Sequence, residues 1–126
     1  MEEPVKTVII LGGTRPEPRL EREMEARGIK VRWARSIKEA AGLLNSVINR
    51  TVVVTELAVK DGNWRDLLET VRYSSIPVLL VSSSSTAELW WDALDCGVED
   101  VLPAALSDSQ LCEYLEKQFK RSGELK

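Results

Sequence analysis

The chain contains no histidine among its 126 residues. That absence excludes zinc sites built on imidazole, nucleophiles activated by histidine, and histidine-based acid–base catalysis. Only two cysteines are present, Cys96 and Cys112, and they are far apart and form no Cys-x-x-Cys motif. We expect them to be free thiols or small buried side chains. An enzyme is therefore the weakest of the functional hypotheses, and we expect neither a metal nor a cofactor.

The sequence also lacks a long apolar run and an excess of basic residues. No run approaches the roughly 20 apolar residues that span a bilayer, and the first four residues, Met-Glu-Glu-Pro, lack the positive charge of a signal peptide. The net charge is −3, with both signs interspersed, so no basic surface suited to nucleic acid stands out. We therefore expect a cytoplasmic protein that binds neither nucleic acid nor membranes.

Length and composition predict one compact domain. A chain of 126 residues with 44% hydrophobic residues can bury a sizeable core, so we assign residues 1–126 to a single domain. The charged tail, residues 120–126, is interpreted as the start of a linker.

Short apolar runs alternate with helical patterns five times along the chain. The runs are rich in β-branched residues and are predicted strands: residues 5–11, 30–34, 51–55, 78–81 and 100–102. The helices are predicted to begin near Pro16, Ser36, Trp64, Thr86 and Ser107. This alternation predicts an α/β domain with a doubly wound parallel sheet and five helices, in the flavodoxin-like strand order 2-1-3-4-5.

Several local signals mark the ends of these elements. Ser36 followed by Glu39 is typical of a capping box at a helix start, and Ser85 followed by Glu88 has the same spacing. Gly97 is expected to end the fourth helix. Asp61-Gly62-Asn63 is interpreted as a turn.

In a sheet of this kind, ligands gather where the strands end. Three blocks of the sequence at those places resemble the receiver domains of two-component response regulators: residues 52–56 with 60–62, residues 77–82, and residues 97–103. The resemblance covers nearly the whole chain, and it implies a signalling domain of the bacterial two-component type. The positions that correspond to the receiver site are Gly12, Gly13, Glu56, Ser82 and Ala104.

The resemblance implies a specific chemistry, from which this sequence departs. Receivers use two carboxylates after the first strand for Mg²⁺, an aspartate after the third as phosphoryl acceptor, and a lysine after the fifth. Here Gly12-Gly13 replaces the acidic pair, Glu56 the aspartate and Ala104 the lysine, while Ser82 keeps the expected hydroxyl. The chain therefore resembles a degenerate branch of the receiver family, the pseudo-receivers. In that branch a glutamate at the acceptor position is followed by a short loop that ends in Asp-Gly and a tryptophan, and Glu56, Asp61-Gly62 and Trp64 match this pattern.

Each of these features also has a plain structural interpretation. Glu56 is either a partial imitation of a phosphorylated residue or a strand-end carboxylate that caps amides or faces solvent. Gly12-Gly13-Thr14 is either an anion-binding turn, with Arg15 beside it, or a tight turn that needs glycine. The four hydroxyls of residues 82–85 suggest phosphate or sugar contacts, but they equally suit the end of a strand and the start of a helix.

A partner surface is predicted on the fourth helix and beside it. Adjacent helical residues point about 100° apart, so Trp90 is expected to pack inward and Trp91 to face outward. Trp91 and Leu94 are assigned to this surface together with Val101, which stands where receivers commonly place a switch aromatic. An exposed tryptophan is a typical binding hot spot.

Two functional hypotheses of different classes follow. The first is a receiver-like signalling module that is not phosphorylated and that contacts a protein partner, or a second copy, through the face between the fourth and fifth helices. The alternative is a regulatory domain that binds a small anion or nucleotide at Gly12-Gly13-Thr14.

Overall fold

The computed structural model describes residues 6–12, 17–46, 50–72, 74–83 and 86–124. Its strands are β1 (Lys6–Leu11), β2 (Ile29–Ala34), β3 (Thr51–Thr55), β4 (Ala58–Val59), β5 (Gly62–Asn63), β6 (Val78–Ser82) and β7 (Asp100–Pro103). Its helices are α1 (Pro18–Ala26), α2 (Ile37–Ser46), α3 (Trp64–Thr70), α4 (Ala87–Cys96) and α5 (Asp108–Glu124).

Five parallel strands form the main sheet, in the order β2-β1-β3-β6-β7. This confirms the predicted order 2-1-3-4-5, since the short strands β4 and β5 form a separate hairpin and only shift the numbering. All five residues of the central strand β3 are buried, as expected where helices cover both faces of a sheet. The edge strand β2 instead exposes Lys30 and Arg32, and charged side chains of this kind discourage pairing with another chain.

The core lies on both faces of this sheet, because successive side chains of a strand point to opposite sides. Val8, Val52 and Val54 face α1 and α5, where they join a cluster that includes Met24 and Phe119. On the other face, one cluster involves α2 and α3, and a second lies between α3 and α4. Both cysteines are free: Cys96 is exposed on α4 and Cys112 is buried on α5, where burial raises the pKa of its thiol.

The ends of the helices follow the predicted signals only in part. Gly97 ends α4 in the left-handed conformation (φ 109°), as predicted. The residue that caps the start of α4 is Thr86, whose side chain accepts a hydrogen bond from the Leu89 amide; the predicted cap, Ser85, lies outside the described residues. Pro16 also lies outside them, and α1 begins at Pro18.

The hairpin made by β4 and β5 is hydrogen-bonded to the start of α2 and leads directly into α3. The predicted turn at Asp61 lies at its tip, and the Asp61 carboxylate accepts hydrogen bonds from the Ile37 amide at 2.7 Å and the Lys38 amide at 3.1 Å. Ser36 caps the same helix, with its Oγ 3.0 Å from the Glu39 amide. The Asp61 carboxylate thus caps a helix that begins 24 residues earlier in the chain. Local sequence signals do not reveal this contact.

We expect the Asp61 cap to make stability depend on pH. The hydrogen bond from Ile37, followed by that from Lys38, lowers the pKa of Asp61 below its ordinary value. A carboxyl group with a lowered pKa stabilises the fold fully above its unfolded-state pKa of about 3.9 and loses this effect as the pH falls through its folded-state pKa. Asp61→Ala should therefore lower the melting temperature by a few degrees at neutral pH, and the difference should shrink in acid.

Thermal unfolding of both proteins between neutral and strongly acidic pH checks this. Asp61→Asn is the matched control: it keeps one acceptor oxygen without a charge, so its deficit should vary less with pH. A deficit of Asp61→Ala that stays constant down to the lowest pH would contradict the assignment of the cap.

Candidate functional site

Four of the predicted site residues lie together at the carboxyl edge of the sheet. Gly12 and Glu56 follow the neighbouring strands β1 and β3, and the Glu56 amide donates to the Leu11 carbonyl at 3.2 Å. Ser82 ends β6, and the Ala104 amide, just beyond β7, donates to the Ser82 carbonyl at 3.1 Å. Because the strands are parallel and in register, their ends meet at one edge, as the sequence predicts.

The Glu56 side chain lies directly against the backbone of Gly12. A β-carbon added to Gly12 would be 2.8 Å from Glu56 Cδ and 2.9 Å from Oε1, closer than non-bonded atoms approach. Glycine thus leaves the space that the longer side chain of glutamate fills. With any other residue at position 12, the partly buried Glu56 carboxylate would have to move.

A shallow cleft of about 370 Å³ opens beside this contact. Among the described residues, its lining contains one carboxylate and no cationic side chain: Glu56, Leu57, Ala58, Val81, Ser82, Ser83 and Ala104. Ser82 is buried at the cleft wall, whereas Ala104 is exposed and offers only a methyl group. The described part of the cleft therefore offers a hydroxyl and a carboxylate, without a positive charge that could pair with a phosphoryl group.

These residues do not fit a magnesium site. Mg²⁺ prefers octahedral oxygen ligands and is usually bound through one or two carboxylates together with substrate phosphates and waters. Glu56 is the one acidic residue among the described residues of the cleft lining, and the sequence places no side-chain oxygen at Gly12 or Gly13. In the described ranges, no group of three or more acidic or cysteine side chains comes close enough to hold a metal ion.

The predicted anion-binding turn is described only at its first residue. Gly12 is buried, and its amide donates to the Ala34 carbonyl at 3.0 Å, which extends the pairing of β1 with β2. This amide is therefore already used within the fold. Gly13, Thr14 and Arg15 lie outside the described residues.

The predicted partner surface needs two corrections. Val101 is buried, 9% exposed, in the cluster between α3 and α4, so it cannot belong to a surface; its side chain points inward from β7. Trp90, predicted to pack inward, is 38% exposed. Leu89 and Ala93 take the inner side of α4, which leaves Trp90 at its flank.

The other two residues of that surface are accessible. Trp91 is 62% exposed, as predicted, and Leu94 is half-buried. The rings of Trp90 and Trp91 meet edge to face, with their centroids 4.8 Å apart. The two tryptophans therefore form one continuous aromatic surface on α4.

One contact that sequence reasoning missed connects α4 to α3. The Arg65 guanidinium pairs with the Asp92 carboxylate and also lies 4.8 Å from the centre of the Trp64 ring. Arg65 and Asp92 are 27 residues apart and follow no local motif, so nothing in the sequence pairs them. The contact neutralises one of the carboxylates of α4.

Comparison with known proteins gives matches only among solved structures. No protein-family model and no curated protein matches the chain. The receiver domain of the Francisella response regulator 1452 is 23% identical with a TM-score of 0.79, over 93% of this chain and 98% of that one. The non-phosphorylated HemR receiver domain from Leptospira biflexa is 22% identical with a TM-score of 0.76, over 90% and 94%.

A third similar structure is a dimer. The beryllofluoride-activated NtrC4 receiver domain is 15% identical with a TM-score of 0.74, over 91% of this chain and 97% of that one. These likenesses confirm the predicted fold. The chain has the fold of response-regulator receiver domains.

No helix in the part of the chain that the structure describes is long and apolar enough to cross a membrane.

Proposed function

We propose that this chain is a receiver-like signalling module that is not phosphorylated and that acts through contacts with another protein. The observation that carries the proposal is the packing of the Glu56 carboxylate against Gly12. The carboxylate occupies the space beside Gly12, one of the two positions to which the resemblance assigns the metal-binding acidic pair. A module without this chemistry can still present the surface of a receiver fold to a partner.

The composition of the cleft supports the same conclusion. Phosphoryl transfer to a carboxylate depends on cations that neutralise the charge of the transferred group. The described residues of the cleft lining provide a carboxylate at Glu56 and a methyl group at Ala104, but no cation. The residues that would have to bind the metal do not fit one. Among the residues of this edge that the structure describes, no set of side chains supports an enzymatic role.

A negative carboxylate in the cleft also argues against the alternative function. A small anion that enters the cleft would come close to the Glu56 carboxylate, and like charges at short range repel. The Gly12 amide, which such an anion would use, donates to Ala34 instead. We therefore retain the signalling module as the single proposal.

The proposed contact surface is the side of the domain formed by α4 and its surroundings. Trp91 and Leu94 provide its accessible apolar part, and exposed tryptophans are typical binding hot spots. The NtrC4 receiver domain offers a precedent for a protein contact by this fold, since its activated form is a dimer. We propose no contact with nucleic acid or membranes.

Phosphorylation can be tested directly. We expect incubation with acetyl phosphate and Mg²⁺ to leave the intact mass of the protein unchanged. Glu56→Asp is the matched variant, because it shortens the side chain by one methylene and clears space near Gly12. We expect it to remain unlabelled as well, since neither Gly12 nor Ala104 supplies the missing charges. Labelling of the natural protein that disappears in Glu56→Gln would show the proposal to be wrong.

A further inference from the structure

The two adjacent tryptophans of α4 expose an unusual amount of aromatic surface. Trp90 is 38% exposed and Trp91 is 62% exposed. They are the large hydrophobic side chains that remain exposed among the described residues. Their edge-to-face contact, 4.8 Å between centroids, holds the rings together as one surface. Exposed aromatic surface of this kind marks an interaction site more often than an isolated exposed leucine does.

The charged side chains of α4 itself are all of one sign. The helix, Ala87–Cys96, contains no lysine or arginine, and its acidic residues are Glu88, Asp92 and Asp95. In α4, Asp92 is paired with Arg65. Within the described part of the chain, neither Glu88 nor Asp95 takes part in an ion pair, and both are exposed.

The helix geometry places these two carboxylates beside Trp91. Glu88 precedes Trp91 by three residues and Asp95 follows it by four, and residues at these spacings are neighbours on one side of a helix. The exposed indole therefore lies between two carboxylates along the surface of α4. A cation that stacks on the ring can meet a carboxylate at either end of it.

This arrangement selects among the kinds of partner. An apolar helix docked here would remove Glu88 and Asp95 from water without pairing them, which is costly. A symmetric contact of α4 with α4 of a second copy would bring like charges together. An arginine meets both requirements, because its planar guanidinium stacks on indole and forms paired hydrogen bonds with a carboxylate.

We propose that the surface formed by Trp90, Trp91, Glu88 and Asp95 binds an arginine-containing, cationic segment of a partner protein, with a guanidinium against the Trp91 ring. This inference rests on the proposed function, since it names the partner chemistry of the same face. It also replaces the symmetric homodimer as the expected assembly of that face.

The test uses a capped synthetic peptide of alternating arginine and serine, and a matched peptide with citrulline in place of arginine. Citrulline keeps the shape of the side chain and removes its charge. Binding to the whole chain is followed by NMR, using the four tryptophan indole N–H signals. We expect the arginine peptide to shift the signals of Trp90 and Trp91, the shift to weaken with added salt, and the citrulline peptide to have no effect.

Three variants identify the contact. Trp91→Ala should weaken binding at least about fivefold, as expected for the loss of a cation–aromatic contact. The double variant Glu88→Gln/Asp95→Asn should keep the aromatic surface but weaken binding and flatten its salt dependence. Glu25→Gln, at an exposed position of α1 on the opposite face of the sheet, should bind as the natural protein does. Circular dichroism checks that each variant folds.

Several outcomes would overturn the inference. It is wrong if neither peptide binds, if both bind equally, or if Trp91→Ala binds with unchanged affinity. A dimer seen by light scattering and dissociated by Trp91→Ala would assign the surface to a second copy instead. The proposed function has its own readout: phosphoryl labelling overturns it whatever the peptides do, whereas failed peptide binding without labelling overturns only the cationic partner.

Discussion

Replacement of Phe119 by alanine should lower the free energy of unfolding by about 3–5 kcal/mol. Phe119 lies in α5, is 1% exposed, and joins the cluster that includes Met24, Val52 and Leu115. Removing the ring leaves a cavity between α5 and the sheet that the surrounding side chains can only partly fill. Since domains of this size are stable by about 5–15 kcal/mol, the variant should be close to unfolding.

The neighbouring position supplies the control. Lys120 is exposed, so Lys120→Ala should change stability by less than about 0.5 kcal/mol. Urea denaturation of both variants measures the difference. Both positions lie in α5, which continues to Glu124; that a linker starts at residue 120 stays a prediction. A loss below about 1 kcal/mol for Phe119→Ala would mean that this end of α5 contributes little to the fold.

The sheet was predictable because its signal is local and strong. A strand covered on both faces needs apolar β-branched residues throughout, and Val52, Val53 and Val54 meet that condition. The hairpin of β4 and β5 was not predictable, since two-residue strands leave no periodic pattern. The same holds for Asp61, whose carboxylate caps α2 only after the chain has folded back.

The candidate site was predictable in position but not in geometry. The order of the strands is enough to bring Gly12, Glu56, Ser82 and Ala104 to one edge. The fit between the Glu56 carboxylate and the empty space at Gly12 depends on a rotamer, which no pattern of residue types encodes. Val101 was misassigned for a related reason: a resemblance identifies a position in the fold but does not say which way its side chain points.

Trp64 should prove to be a structural residue, although the resemblance to degenerate receivers includes it among their signature positions. It begins α3, is 6% exposed, and packs with Leu80, Ala93 and Val101 beneath α4. Its amide donates to the Leu57 carbonyl at 3.0 Å, which closes the hairpin beside the cleft. Trp64→Ala should therefore lower the free energy of unfolding by about 3–5 kcal/mol.

Trp91 is the matched control within the same chain. Because Trp91 is 62% exposed and its ring contact is with the neighbouring Trp90, Trp91→Ala should lower the free energy of unfolding by no more than about 1 kcal/mol, although both substitutions remove the same atoms. Urea unfolding followed by circular dichroism measures both without relying on the tryptophans themselves. Similar losses for the two variants would contradict the burial that the structure assigns to them. A large loss of stability for Trp64→Ala alone would mean that degenerate receivers carry a tryptophan at this position because it packs in the core. Trp91 would then be the tryptophan of this pair that is available to a partner.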